Sequence, residues 1–220
     1  MQSITARLFP LPNVVLFPKT RLPLHIFEPR YRQMMRDALG SDHRIAIGLL
    51  QPGWESNYYG NPPVFDICCV GLIDSFEELQ DGTFNLVLHG ERKIRIQRVL
   101  EDHPYRLVEA AALQERTPAE NAFETKAERF RIQEMAIEHF NLRVPETPVA
   151  KVLGQFGFEE LVNWLAGNLA FTPTQKQELL ELDDLRERGL RMARFLEAKL
   201  QEQHLAKAFR HLAPENPSMN

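Results

Sequence analysis

Leu11-Pro12-Asn13-Val14-Val15-Leu16-Phe17-Pro18, then Leu22-Pro23-Leu24-His25-Ile26-Phe27, runs into Glu28-Pro29-Arg30-Tyr31-Arg32-Gln33-Met34-Met35-Arg36-Asp37-Ala38-Leu39-Gly40. The first two segments are apolar but punctuated by prolines. Proline has no amide hydrogen to give a sheet, so these runs suit an edge strand and an extended segment. After Glu28 the period changes. Tyr31, Met34, Met35, Ala38 and Leu39 fall at i, i+3, i+4, i+7 and i+8, a single apolar helical face. Pro29 suits the first helical position, Glu28 supplies negative charge at the N-terminus, and Gly40 suits the C′ position. A short helix therefore follows directly on strand-like chain.

Working outward, strands are expected over residues 44–50, 64–73, 83–88, 93–100 and 105–111. Gly71 suggests a bulge or a close backbone approach, and Asp81-Gly82 is a turn pair. In 93–100, Ile94 and Ile96 share one face while Lys93, Arg95 and Gln97 share the other. Short strands at this spacing predict a small, antiparallel-dominated, curled sheet or partial barrel. From about Thr117 the pattern is helical. One helix reaches about Leu142 and is stopped by Pro145 and Pro148. A second carries Phe158, Leu161, Val162, Leu165, Ala166 and Leu169 on one face. Thr172-Pro173-Thr174-Gln175 reads as a capping box opening a third helix, with Leu179, Leu180 and Leu182. Asp183 or Asp184 caps a last helix to about Ala208, in which Leu185, Met192, Leu196 and Leu200 face a core. Gly189 inside it costs about 1 kcal/mol relative to Ala unless a neighbour packs closely there. The expected class is α+β: an antiparallel β pseudo-barrel with a short helix over residues 1–115, a helical bundle over 116–213, and a disordered tail from 214 to 220.

Apolar residues make up 44% and charged residues 25% of the 220, so a folded chain with a real core is expected. A net charge of −4 provides no global drive toward nucleic acid or an anionic membrane. No run of about eighteen apolar residues predicts a membrane span, and the first residues lack a signal-peptide pattern. Two adjacent cysteines, Cys68 and Cys69, make neither a disulfide framework nor a metal site. The expected compartment is cytoplasmic.

Three segments resemble the N-terminal, substrate-binding domain family of ATP-dependent Lon proteases. The most specific is residues 11–18 with 22–31, quoted above. The second is Asp81-Gly82 through His89-Gly90-Glu91-Arg92-Lys93-Ile94-Arg95-Ile96, similar to the family's Asp-Gly, apolar strand, Gly-x-Arg-Arg-x-x-Ile pattern. The third is the helical stretch 165–169, 176–181 and 184–188. The resemblance implies a PUA-like pseudo-barrel followed by a helical bundle, and a role in recognising unfolded or exposed peptide. The 220 residues contain no G-x-x-x-x-G-K-[ST] phosphate loop and no protease Ser and Lys pair, so a stand-alone, non-catalytic form without ATPase or protease domains is expected.

No catalytic site assembles from the residues. Ser41-Asp42-His43 has the residue types for nucleophilic catalysis, but neighbours in a turn cannot make the required geometry. His25 reads as structural, and His204 with His211 lacks a third metal donor. Cys68 and Cys69 on a strand must face opposite ways, which predicts one in the core and one partly exposed. Glu77-Glu78 and Asp183-Asp184 read as turn and cap residues. No cofactor and no metal are expected.

Two features suit binding. The loop 51–63 holds Trp54, Tyr58 and Tyr59 among turn formers, residue types that anchor peptides through large area and a polar tip. Met34 and Met35 add adaptable apolar surface, although their helical phase points to the core. The second feature is a basic face of Arg92, Lys93, Arg95 and Arg98 suited to RNA phosphate or acidic peptide. The leading expectation is a binder of unfolded or flexible polypeptide, with a separate protease or chaperone as a further partner and no membrane partner. Nucleic acid bound through the basic face is the alternative.

Overall fold

The computed structural model describes residues 3–57, 60–101, 104–143 and 148–209. Six strands form one sheet: β1 (Ser3–Leu11), β2 (Arg21–Ile26), β3 (Arg44–Leu49), β4 (Ile67–Glu78), β5 (Phe84–Glu101) and β6 (Arg106–Ala112). The helices are α1 (Pro29–Leu39), α2 (Phe123–Arg143), α3 (Val149–Leu153), α4 (Phe158–Asn168), α5 (Pro173–Glu181) and α6 (Leu185–Ala208). The sheet order is β2-β5-β4-β3-β1-β6, and β6 returns to pair with β5. Five strands thus close a ring, with β2 attached outside it along the first half of β5. All pairings are antiparallel except β1 with β3. Leu8, Cys68, Ile94 and Val108 fill the interior, with Ala6, Ala46, Val70 and Ala110 around them.

The prolines sit where their missing donors cost nothing. Pro23 is on β2, at the sheet edge. Pro10 lies beyond Leu8↔Arg106, the last rung with β6, so one side of β1 is free there. One strand replaces two that the sequence separates. The expected 83–88 and 93–100 are a single β5, and Gly90 within it is a place of close approach. A Cβ there would lie 2.0 Å from the Phe17 carbonyl oxygen. The 17–20 turn docks on it through Lys19 N–H to Gly90 O (2.7 Å) and Gly90 N–H to Thr20 O (2.8 Å). The register of β4 against β5 shifts between Val70 and Gly71, leaving Glu91 as the extra residue. A Cβ on Gly71 would meet Leu16 at 2.9 Å, so the bulge and the close approach occur together.

The chain clusters into two compact units. One comprises residues 1–116 with Asn163–Leu185, and the other Thr117–Val162 with α6 from Arg186. The strand-bearing unit is therefore discontinuous in sequence. Within it, helical residues bond directly to strands and turns. Asn163 donates to Pro18 O (3.1 Å), Gln177 to Ile67 O (3.0 Å), and the Lys93 ammonium to Leu182 O and Asp183 Oδ1 (both 2.8 Å). The capping box at the start of α5 is present in both directions, Gln175 N–H to Thr172 Oγ1 and Thr172 N–H to Gln175 Oε1.

In the second unit the Glu120 carboxylate accepts from Phe158 N–H (2.9 Å) at the start of α4, and Arg129 donates to Phe156 O and Gly154 O. Gly189 makes room for Phe158, whose ring would lie 2.8 Å from an added Cβ. That packing explains a glycine within α6. Among the described residues no helix is long and apolar enough to cross a membrane. The stretch from 214 expected as a tail lies outside the described residues.

Candidate functional site

β4 and β5 extend beyond the ring as a ribbon, and β2 adds a third strand along it. Three cross-strand rows result: Pro23–Val87–Ser75, Leu24–Leu86–Phe76 and His25–Asn85–Glu77. Residues directly opposite on antiparallel strands share a face, so each row is a lateral line of side chains. Together these nine residues line a shallow open groove of about 560 Å³. The ribbon is held by its turn. Gly82 takes φ +76°, and the Asp81 carboxylate accepts from the Thr83 hydroxyl (2.7 Å) and amide (3.0 Å). Those two hydrogen bonds hold the Asp81 carboxyl below the usual carboxylate range.

One highly exposed aromatic lines the groove and a second stacks on a lining residue. Phe76 is 50% exposed and Phe27 is 61% exposed, with the Phe27 ring stacked on His25 at 6.2 Å between centroids. His25 Nδ1 in turn meets Asn85 Oδ1 at 2.8 Å, which ties this histidine to its cross-strand neighbour. β2 pairs only with β5, which leaves its other edge without a strand partner among the described residues. An apolar groove beside a free strand edge can take an extended chain, main chain against the edge and side chains in the groove. Pro23 interrupts the donors on that strand, which limits uncontrolled sheet extension.

Trp54 opens a short 3₁₀ turn, Trp54–Asn57, and is half-buried; Tyr58 and Tyr59 lie outside the described residues. The base of the loop is closed by the Leu50↔Val64 bridge, by Gln51 N–H to Pro63 O (2.9 Å), and by the buried Arg106, which donates to Pro62 O (2.7 Å). Met34 and Met35 have no exposed surface at all. Their place among the peptide-binding residues is corrected: α1 turns both into the core, and they offer a ligand nothing in this conformation.

The basic face is also corrected. Lys93 is fully buried, paired with Asp183 and within 3.7 Å of Glu115. Arg98 is paired with Glu109. The bulges in β5 break the simple alternation expected over 93–100, so only Arg92 and Arg95 remain open cations of the four.

Most of the remaining chemical candidates are engaged structurally. Asp42 binds Arg7 (2.7 Å), and His43 occupies a left-handed turn position. Glu78 meets Arg36, and Asp184 meets Arg116. His204 meets Glu138 (2.8 Å), and His211 lies outside the described residues. Both cysteines are fully buried, contrary to the expectation of one partly exposed, because Cys68 faces the ring interior and α5 packs over β4 on the other side. Burial pushes the Cys68 thiol up to about 12. Among the described residues no three His, Cys, Asp or Glu could hold a metal ion.

Sequence reasoning missed Phe27 and Phe76. The signal for Phe27 was available, since Pro23, His25 and Phe27 alternate with the inward Leu22, Leu24 and Ile26. Phe76 is a lone apolar residue in the polar run Asp74-Ser75-Phe76-Glu77-Glu78, and its exposure depends on how far β4 outruns the ring.

The family model described as the ATP-dependent protease La (LON) substrate-binding domain matches residues 5–198. The Lon protease of Flavobacterium johnsoniae is 26% identical over 206 residues, covering 92% of this chain and 25% of that protein. The Lon protease of Cytophaga hutchinsonii is 24% identical over 197 residues, covering 88% of this chain and 24% of that protein. The chain spans about a quarter of the length of these relatives. Among solved structures it is similar to a Lon N-terminal domain protein from Xanthomonas campestris, at TM-score 0.61 and 22% identity over 84% of this chain and 94% of that one. It is also similar to the N-terminal domain of the Mycobacterium avium complex Lon protease, at TM-score 0.66 and 16% identity over 90% and 99%. At these identities the structures establish the fold.

Proposed function

Because the chain belongs to the LON substrate-binding domain family, we propose that it binds unfolded or flexible polypeptide segments in the groove between β2, β5 and β4, without chemistry of its own. One observation carries the reading: an apolar groove lined by the exposed Phe76 lies beside a strand edge without a strand partner among the described residues, and the exposed Phe27 stacks on His25 of its lining. A folded protein has few extended apolar segments to offer such a surface, whereas an unfolded one has many. A protease or chaperone that receives the bound segment is the partner this reading implies. The RNA alternative is disfavoured by the buried Lys93 and the paired Arg98, which remove half of its cations.

The test is fluorescence anisotropy with a labelled unfolded polypeptide, its native counterpart and a structured RNA. Preference for the unfolded chain that persists at moderate salt is expected, since apolar burial is insensitive to screening. Phe76→Ser should weaken binding about tenfold, because burying half an aromatic side chain contributes about 1.4 kcal/mol. Equal binding of native and unfolded chains, or full affinity in Phe76→Ser, would sink the groove. Trp54→Ala tests the aromatic loop separately, and an unchanged affinity removes the loop from the reading.

A further inference from the structure

One end of the ring opens into a second, smaller cavity on the same unit. It is lined by Ile4, Thr5, Ala6, Asp42, Arg44, Ala46, Val70 and Arg92, and holds about 260 Å³. Its floor is the ring core itself: Ala6, Ala46 and Val70 belong to the interior cluster, with Ile4 packed against it. Small side chains at those inward positions leave space that larger ones would fill. The volume lies just under the range of about 300–1,000 Å³ typical of small-molecule sites, so it suits a group of side-chain size.

The rim is charged, and its charges do not cancel. Arg44 forks onto Glu91 through Nε (2.6 Å) and Nη2 (3.0 Å), and the same Arg44 donates Nη1 to Asp42 O. The Asp42 carboxylate binds Arg7. Those pairs neutralise two cations with two anions. Arg92 stands opposite Val70 on the ring, faces the same mouth, is exposed, and has no ion pair among the described residues. An open guanidinium above an aliphatic floor suits a carboxylate carried on a compact branched apolar body.

We propose that the mouth of the ring, with Arg92 at its rim and Ala6, Ala46 and Val70 at its floor, is a binding site for a small aliphatic carboxylate. The carboxylate takes the guanidinium fork of Arg92 while the apolar body enters the ring. The same chemistry has two sources, a free organic acid or the C-terminal residue of a polypeptide. The site is separate from the β2 groove and does not depend on polypeptide binding there.

The test is calorimetric titration of the full chain with 4-methylpentanoate, with its neutral amide, and with a pentapeptide ending in Leu in free-acid and amidated forms. Binding of either carboxylate but neither amide is expected. The free acid alone points to a metabolite, and the peptide alone to a chain terminus. Arg92→Gln should weaken the bound probe about tenfold, as loss of a charged hydrogen-bond pair does. Arg95→Gln makes the same change of charge away from the cavity and should have no effect. Silence from both carboxylates, equal binding of acid and amide, or equal loss in Arg92→Gln and Arg95→Gln overturns the site. If the unfolded polypeptide still binds in anisotropy, such a failure leaves the groove untouched.

Discussion

Replacing Gly90 by Ala adds one carbon where the structure has no room for it. The new Cβ would lie 2.0 Å from the Phe17 carbonyl oxygen, so that oxygen must retreat by about 1 Å to reach even the tightest contact seen in proteins. The retreat moves the turn whose two hydrogen bonds clasp Gly90, Lys19 N–H to Gly90 O and Gly90 N–H to Thr20 O. Each is worth about 1 kcal/mol net, and overpacking adds about 1–3 kcal/mol. The stiffer unfolded chain offsets about 0.4–1 kcal/mol of this. The expected loss is about 3 kcal/mol, a drop of roughly 1.5 M in the urea midpoint. The assay is equilibrium unfolding followed by tryptophan fluorescence. Both tryptophans, Trp54 and Trp164, lie in the strand-bearing unit, so the signal reports that unit. Gly40→Ala is the control, since its Cβ would meet Arg36 O at an ordinary 3.5 Å and should change stability by less than about 0.5 kcal/mol. A loss under about 1 kcal/mol in Gly90→Ala would refute the reasoning, because it would mean that the 17–20 turn yields freely.

Asp183→Ala should destabilise the protein more than Lys93→Met in the same urea assay. The first leaves a fully buried ammonium with only the more distant Glu115 carboxylate, at a cost of about 3 kcal/mol, whereas the second leaves the half-exposed Asp183 carboxylate, which water can solvate, and the longer Glu115 contact unmade. The cysteines should not react with a thiol reagent at pH 8 in the native protein and should both react in denaturant. Since the Cys68 thiol rises from 9.0 to about 12 on folding, its contribution is complete below pH 9 and is lost as pH climbs toward 12; stability that holds steady across that window would contradict its burial. Arg106→Ala should raise amide hydrogen exchange across residues 51–63 while leaving β1 and β3 protected, because it removes the buried donor to Pro62 O that closes the loop base.

Local rules were legible wherever the cause was local. The helix at Pro29–Leu39, the Thr172 capping box and the Asp81-Gly82 turn are each written in a few adjacent residues, and the structure has all three. The Gly71 bulge and the packing reason for Gly189 could be anticipated because a glycine in a strand or helix asks for a neighbour. What failed depended on distant partners. Lys93 looked like one of a row of surface cations, and only the return of the chain at Leu182 and Asp183 makes it a buried one. The expected strand stopped at 88 because the reason for a glycine within β5, the Phe17 carbonyl pressing on Gly90, is more than 70 residues away in sequence. The groove escaped notice for the same reason: His25, Asn85 and Glu77 become one row only through pairing register, which no single segment encodes.

The Lys93 pair also sets a timetable for synthesis. Asp183 follows Lys93 by 90 residues, and a ribosome adding about 5–20 residues per second needs roughly 5–18 s to cover that interval. β6 ends at Ala112, so every strand of the ring has been made long before then. Throughout the wait the nascent ring must either bury the ammonium with Glu115, 3.7 Å away in the finished fold, as its counter-charge but without Leu182 and Asp183, or keep that part of β5 open to solvent. Leu182 and Asp183 complete the partners of that ammonium only when they emerge, so this part of β5 is the last of the ring to be closed.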